Sequence, residues 1–129
     1  MEPRYSTAGF SDEQRAVLAV AEKLLNCIYT RDKAQMLSLI LPGGGATLLR
    51  NGTPLHLSFP EVVEGLPFDD PREMAGPISG QPVVLVDRDI AMAWTPYEFK
   101  VDGWLDHIGT DIWFRKAGWA LAYQRVGRQ

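Results

Sequence analysis

Residues 97–114 read YEFKVDGWLDHIGTDIWF, bulky and polar side chains in alternation with a break at Asp102-Gly103. A period of two belongs to extended chain, where residues i, i+2 and i+4 share a face. A two-residue turn at the break folds the two runs into an antiparallel hairpin. Counting outward from that turn pairs Val101 with Trp104, Glu98 with His107, Pro96 with Gly109, Trp94 with Asp111 and Met92 with Trp113. His107 and Asp111 then look the same way, beside Trp94 and Trp113. The opposite face takes Ala93, Thr95, Tyr97, Phe99, Ile108, Thr110 and Ile112, mostly apolar and small.

The neighbouring runs PVVLV (82–86) and WALAYQRV (119–126) supply two further strands, so residues 82–126 are expected as an antiparallel meander. Residues 67–80, with three prolines and two glycines, read as a poorly tied loop or mobile flap with at most an irregular strand. SFPE at 58–61 is a capping box that opens a helix of about two turns through Leu66, with Pro60 tolerated in the first turn. Asn51-Gly52 between short apolar runs marks a hairpin over 46–57. A second capping box, SDEQ at 11–14, starts the first helix. Its residues Val17, Leu18, Ala21, Leu24, Leu25 and Ile28 recur as one buried stripe, which Tyr29 continues. A shorter helix from Ala34 to Leu41 is closed by Pro42 and the glycines 43–45. Those glycines lack the Lys-Ser/Thr ending and preceding strand of a phosphate loop. The order of elements predicts an α+β fold, a curved antiparallel sheet wrapped around N-terminal helices in a single domain over 1–129.

Thirteen basic against sixteen acidic residues give a net charge of −3 without a basic block, which argues against a nucleic-acid partner. No run approaches the ~20 apolar residues of a membrane span, so no membrane partner and cytoplasmic residence are expected. Cys27, the single cysteine, sits in an apolar helical run and reads as a core residue. The two histidines, His56 and His107, fall on different hairpins and offer no three-ligand set, so no metal and no cofactor are expected. Neither a nucleophile elbow nor an activated-cysteine motif is present. The remaining partners are a small molecule and a second copy of the chain.

Two readings compete for the face that carries Met92, Trp94, Glu98, His107, Asp111 and Trp113. As the solvent side of the sheet, it holds a Glu98–His107 surface pair worth about 1 kcal/mol or less. As the concave side, it lines a pocket in which Trp94 and Trp113 hold an apolar ring. In that pocket His107, with an ordinary pKa of about 6.5, is the general acid–base. Asp111, desolvated by Trp94, shuttles the proton. Burial of two tryptophans is worth several kcal/mol, which favours the pocket. Arg50, at the end of a hairpin strand, is a candidate anchor for an acidic substrate. With the mixed face turned inward, Tyr97, Phe99, Ile108 and Ile112 form an exposed apolar strip, and such strips predict a two-fold homodimer formed sheet to sheet.

Three stretches, IYTRDKAQMLSLI (28–40), NGTPL (51–55) and HIGTDIWFRKAGWALA (107–122), resemble the nuclear transport factor 2-like superfamily, specifically its SnoaL-like and scytalone-dehydratase-like small proteins. The resemblance covers nearly the whole chain and implies a cone-shaped fold. It places Asp111 where the dehydratase-like members carry a substrate-holding asparagine. It places Tyr29 where they carry a tyrosine at the end of the first helix, suited to stabilising an oxyanion. Thr30 stands where those members place an aspartate, and no second histidine pairs with His107. The implied activity is that of a cofactor-independent lyase or isomerase, dehydratase- or cyclase-like, acting on a polycyclic or aromatic molecule of secondary metabolism. The same fold also houses non-catalytic binding and dimerisation modules, which is the alternative.

Overall fold

A computed structural model of the chain describes residues 5–50, 53–102, 104–115 and 120–127, with side chains described over 5–47 and 53–102. The order of elements is α1 (Asp12–Thr30), α2 (Lys33–Ser38), β1 (Ile40–Arg50), β2 (Thr53–Ser58), α3 (Phe59–Glu64), β3 (Met74–Ala75), β4 (Val83–Asp87), β5 (Ile90–Val101), β6 (Trp104–Arg115) and β7 (Ala120–Gly127). One sheet runs β2-β1-β7-β6-β5-β3, and β4 also pairs with β5. The pairings are antiparallel except β1 with β7, which is parallel. Among the described residues no helix is long and apolar enough to cross a membrane.

Both capping boxes form as the sequence predicts. Ser11 accepts from the Gln14 amide at 3.1 Å while Gln14 Oε1 accepts from the Ser11 amide at 2.7 Å. Ser58 and Glu61 repeat the exchange at the start of α3. Each box satisfies amides that the first helical turn leaves without partners. The second helix departs from expectation. It covers Lys33–Ser38, and the glycines 43–45 belong to β1 instead of closing the helix. The reason is close approach: a Cβ on Gly45 would lie 2.7 Å from the Leu57 carbonyl oxygen of β2, so only glycine lets the strands meet there.

The core forms where α1 crosses the sheet. Val17, Ala21, Leu24 and Ile28 are buried on the helix, and Ala91, Ala93, Thr95, Tyr97 and Phe99 are buried on β5. Small residues at 91, 93 and 95 let the helix come close. The strip expected to be exposed is therefore the core itself. Tyr97 is 4% exposed and Phe99 3%, and the outward series is Met92, Trp94, Pro96, Glu98 and Lys100. The side chains of Ile108 and Ile112 lie outside the described residues.

The hairpin turns where predicted. Val101 pairs with Trp104, and Asp102 takes a φ of 50°, the left-handed conformation that such a turn requires. Two irregularities then alter the register. From the Lys100–Leu105 pair to the Phe99–His107 pair, β5 advances one residue and β6 advances two. From Tyr97–Gly109 to Trp94–Asp111 the imbalance reverses, and Met92 meets Trp113 as the simple count requires. A bulge on each strand thus cancels the other. The expected Glu98–His107 and Pro96–Gly109 pairs do not form. His107 stands opposite buried Phe99, and Glu98 opposite Ile108.

Residues 67–80 are tied down, contrary to the flap expectation. Arg31, left-handed at φ 59° as it ends α1, donates from its guanidinium to the Phe68 carbonyl at 2.7 Å and to the carbonyls of Asp70 and Arg72. Asp102 brackets Glu73, donating its amide to the Glu73 carbonyl at 2.7 Å and accepting the Glu73 amide on Oδ1 at 2.9 Å. Met74 and Ile78 enter the core, and Ile78 bridges to Tyr97. The segment lacks periodicity because each anchor is single, and none is weak for that reason.

Candidate ligand cleft

An open cleft of about 980 Å³ runs along one flank of α1 and touches the core at Leu18, Leu25 and Ile78. Its helical wall carries Arg15, Ala19, Glu22, Asn26 and Tyr29. Spacings of four and three residues put these side chains in one line down the helix. This is a second stripe, mostly polar, beside the apolar one. The other wall is residues 75–79, and Glu98 and Lys100, from the outward series of β5, join the lining at the edge where Lys100 pairs with Ala75 of β3.

The second wall is built to stay in place. A Cβ on Gly76 would sit 3.4 Å from Ile28 Cδ1 and 3.6 Å from Tyr97 Cδ2, so the backbone there packs directly on α1 and β5. The Ser79 amide donates to the Pro96 carbonyl at 2.7 Å, and the Ser79 hydroxyl to the same oxygen at 3.2 Å. Arg31 holds the preceding residues from the end of α1. Helix and wall therefore share one anchor.

Charges of both signs line the cleft, with Arg15, Lys23 and Lys100 set against Glu22 and Glu98. Among the described residues neither Lys23 nor Lys100 makes an ion pair. Two of the polar groups are engaged from within the chain: the Tyr5 hydroxyl donates to Glu22 Oε1, and Arg15 Nη2 donates to the Thr7 carbonyl at 3.2 Å. Burial, and then the hydrogen bond to Glu22, push the Tyr5 phenol above its ordinary pKa. Cys27 is buried on the core side of α1, with its sulfur 3.3 Å from Gln35 Oε1. Burial followed by the charge of Asp32 raises its pKa, so its chemistry is that of an unreactive core thiol. Among the described residues no three His, Cys, Asp or Glu side chains are grouped to hold a metal ion.

The structure brings two of the sequence-selected site residues to this cleft, Tyr29 from α1 and Glu98 from β5. Tyr29 is 58% exposed. Trp94 (40% exposed) and Met92 lie on the outward face near the β4 edge, away from the cleft, with Val83 paired to Trp94 and Leu85 to Met92. The backbone of β6 puts Asp111 opposite Trp94 and Trp113 opposite Met92. The side chains of His107, Asp111, Trp113 and Arg50 lie outside the described residues. Sequence reasoning missed Arg15, Glu22, Asn26 and the 75–79 wall. The signal for the helical group was available, since positions 15, 19, 22, 26 and 29 have the same spacing as a buried stripe but carry polar residues.

No family model matches the sequence, and no curated protein matches it. Solved structures do match. A Nostoc punctiforme protein of unknown function with a cystatin-like fold aligns with a TM-score of 0.66 at 12% identity, over 100% of this chain and 96% of that one. An NTF2-like protein of unknown function from Pseudomonas putida aligns with a TM-score of 0.73 at 10% identity, over 89% and 85% of the two chains. A proposed dehydratase of the NTF2-like family from Streptomyces avermitilis aligns with a TM-score of 0.70 at 15% identity, over 91% and 96%. Likeness at these identities is likeness of fold: this chain folds as an NTF2-like, cystatin-like α+β protein.

Proposed function

We propose that the protein binds an aromatic or polycyclic small molecule in the cleft between α1 and residues 75–79. The observation that carries this reading is the cleft's construction: a wall joined to β5 by backbone hydrogen bonds and packed on α1 at Gly76, facing a line of convergent polar side chains. A concave surface with a few placed polar groups is what small-molecule recognition needs. The leading test is titration with aromatic probes, comparing the protein with Asn26→Leu and Tyr29→Ala variants. Weakened binding without loss of fold supports the reading, and unchanged binding by both variants refutes it.

A second reading is favoured by Tyr29 and Glu98 reaching the same cleft from different elements. Here the protein is a cofactor-independent lyase or isomerase, in which Glu98 takes a proton from carbon and the Tyr29 hydroxyl donates a hydrogen bond to the developing enolate. His107 and Asp111 are the further acid–base candidates from the sequence. Glu98→Gln, His107→Ala and Asp111→Asn each separate the readings: loss of turnover by roughly 10²–10⁴-fold with binding retained assigns catalysis. An effect on affinity alone leaves a binder.

A second copy of the chain is the proposed protein partner, docking on the outward sheet face. Val83, Leu85, Ile90 and Trp94 are exposed there, and Met92 lies among them. This face replaces the Tyr97–Phe99 strip, which the helix covers. Trp94→Asp or Leu85→Asp should convert a dimer to a monomer in sedimentation, and a wild-type protein that sediments as a monomer at all concentrations refutes the interface.

A further inference from the structure

Tyr5 and Thr7 line the cleft although they precede α1 in the chain. Their segment is held at three points. The Tyr5 hydroxyl donates to Glu22, and Arg15 donates to the Thr7 carbonyl at 3.2 Å. Between them Gln81 brackets Ser6, its Oε1 accepting the Ser6 amide at 3.1 Å and its Nε2 donating to the Ser6 carbonyl at 2.8 Å. The segment thus lies along the cleft side of α1 and is tied to Gln81, just beyond the second wall. It places one phenol and one carbonyl on Glu22 and Arg15, which stand seven positions apart on α1, roughly 10 Å along the helix axis.

We infer that Tyr5–Thr7 is an internal occupant of the cleft, standing in for a hydroxylated aromatic ligand that presents a phenolic hydroxyl to Glu22 and a carbonyl to Arg15. The inference rests on the reading of the cleft as a ligand site and adds the ligand's class and a competitor built into the chain. A carboxylate that accepts from a phenol makes a charge-assisted bond that an unsubstituted ring does not offer to the exposed Glu22 carboxylate. The site therefore discriminates hydroxylated rings from unsubstituted ones. Because the segment and the ligand use the same two groups, only one is bound at a time. Apparent affinity then falls by the fraction of molecules with the segment in place. Gln81 is the adjustable part, since it anchors the segment without lining the cleft.

The test uses 4-acetyl-4′-hydroxybiphenyl and, as its control, 4-acetylbiphenyl, titrated calorimetrically into the whole chain. Tyr5→Ala should bind the hydroxylated probe roughly tenfold more tightly than the unaltered protein does. Gln81→Ala, which leaves every cleft side chain intact, should tighten it in the same direction and guards against a folding defect in the first variant. Adding Glu22→Gln to Tyr5→Ala should weaken the hydroxylated probe by roughly two- to fivefold while the control probe changes little. Equal or weaker binding of the hydroxylated probe by Tyr5→Ala and Gln81→Ala overturns the internal-occupant inference and leaves the cleft reading standing. Failure of both probes to bind any of these proteins overturns the cleft reading and the inference together.

Discussion

The two faces of β5 differ in a way that their residue types do not announce. The inward face carries Ala91, Ala93, Thr95, Tyr97 and Phe99, all buried, and the outward face carries Met92, Trp94, Glu98 and Lys100, all partly or well exposed. Tryptophan is the larger apolar residue, yet here it points away from the helix. The space beside α1 explains this. A helix that packs closely on a sheet needs small side chains at the crossing, and a ring as large as indole would hold the helix away. Volume therefore selects the face at 91–95, where the helix crosses, and hydrophobicity at 97–100, where Tyr97 and Phe99 are buried against Glu98 and Lys100 outside.

The largest expected effect follows from that comparison. Phe99→Ala should cost about 3–5 kcal/mol, the usual loss for emptying a buried aromatic site. Trp94→Ala, measured at a concentration where the chain is monomeric, should cost less than about 1 kcal/mol. Denaturant midpoints decide it, and equal losses at the two positions would mean that the faces are not distinguished as described.

A middle-sized effect concerns Arg31. Arg31→Ala removes donors to three carbonyls, and should destabilise the protein by about 1–3 kcal/mol while speeding amide exchange within residues 68–73. Arg31→Gly relieves the left-handed backbone at this position but should show the same local loosening. Unchanged exchange in both variants would show that the second cleft wall is held by other means.

Much of this was legible in the residues, and the boundary of what was legible is physical. Capping boxes are local, so Ser11-Gln14 and Ser58-Glu61 could be read directly. The Asp102-Gly103 turn is equally local. The register beyond it was not, because each β-bulge inserts one residue without any composition of its own; the one nearest the turn moved His107 from Glu98 to Phe99, and the second restored the count at Trp94. The choice of face failed for a similar reason: it depends on which side α1 approaches, a tertiary fact. Residues 67–80 looked loose because their anchors, Arg31 and Asp102, are distant in sequence and leave no periodic trace. The cleft was half visible. Tyr29 and Glu98 were chosen, but as members of a site centred on the tryptophans.

The smallest effect is a pH dependence in the same segment. Hydrogen bonds from the Arg72 side chain, and then from its backbone, hold the Asp70 carboxyl at about 2, below its ordinary value of 3.8. A depressed carboxylate stabilises the fold above its unfolded pKa, and that contribution fades as pH falls from about 3.8 through about 2. Amide exchange at residues 70–73 should accelerate across that window, and Asp70→Asn should remove the dependence. An acceleration centred near pH 5 would assign it to a different group.

The proposed ligand site lies beside α1 and not on the tryptophan face of the sheet. The most direct measurement is an amide chemical-shift map of the whole chain titrated with a hydroxylated aromatic probe. The largest changes should fall on Glu22, Asn26, Tyr29 and residues 75–79, with Val83, Leu85, Met92 and Trp94 nearly unmoved. Changes concentrated on Met92, Trp94 and their β4 partners, with the α1 flank silent, would contradict it.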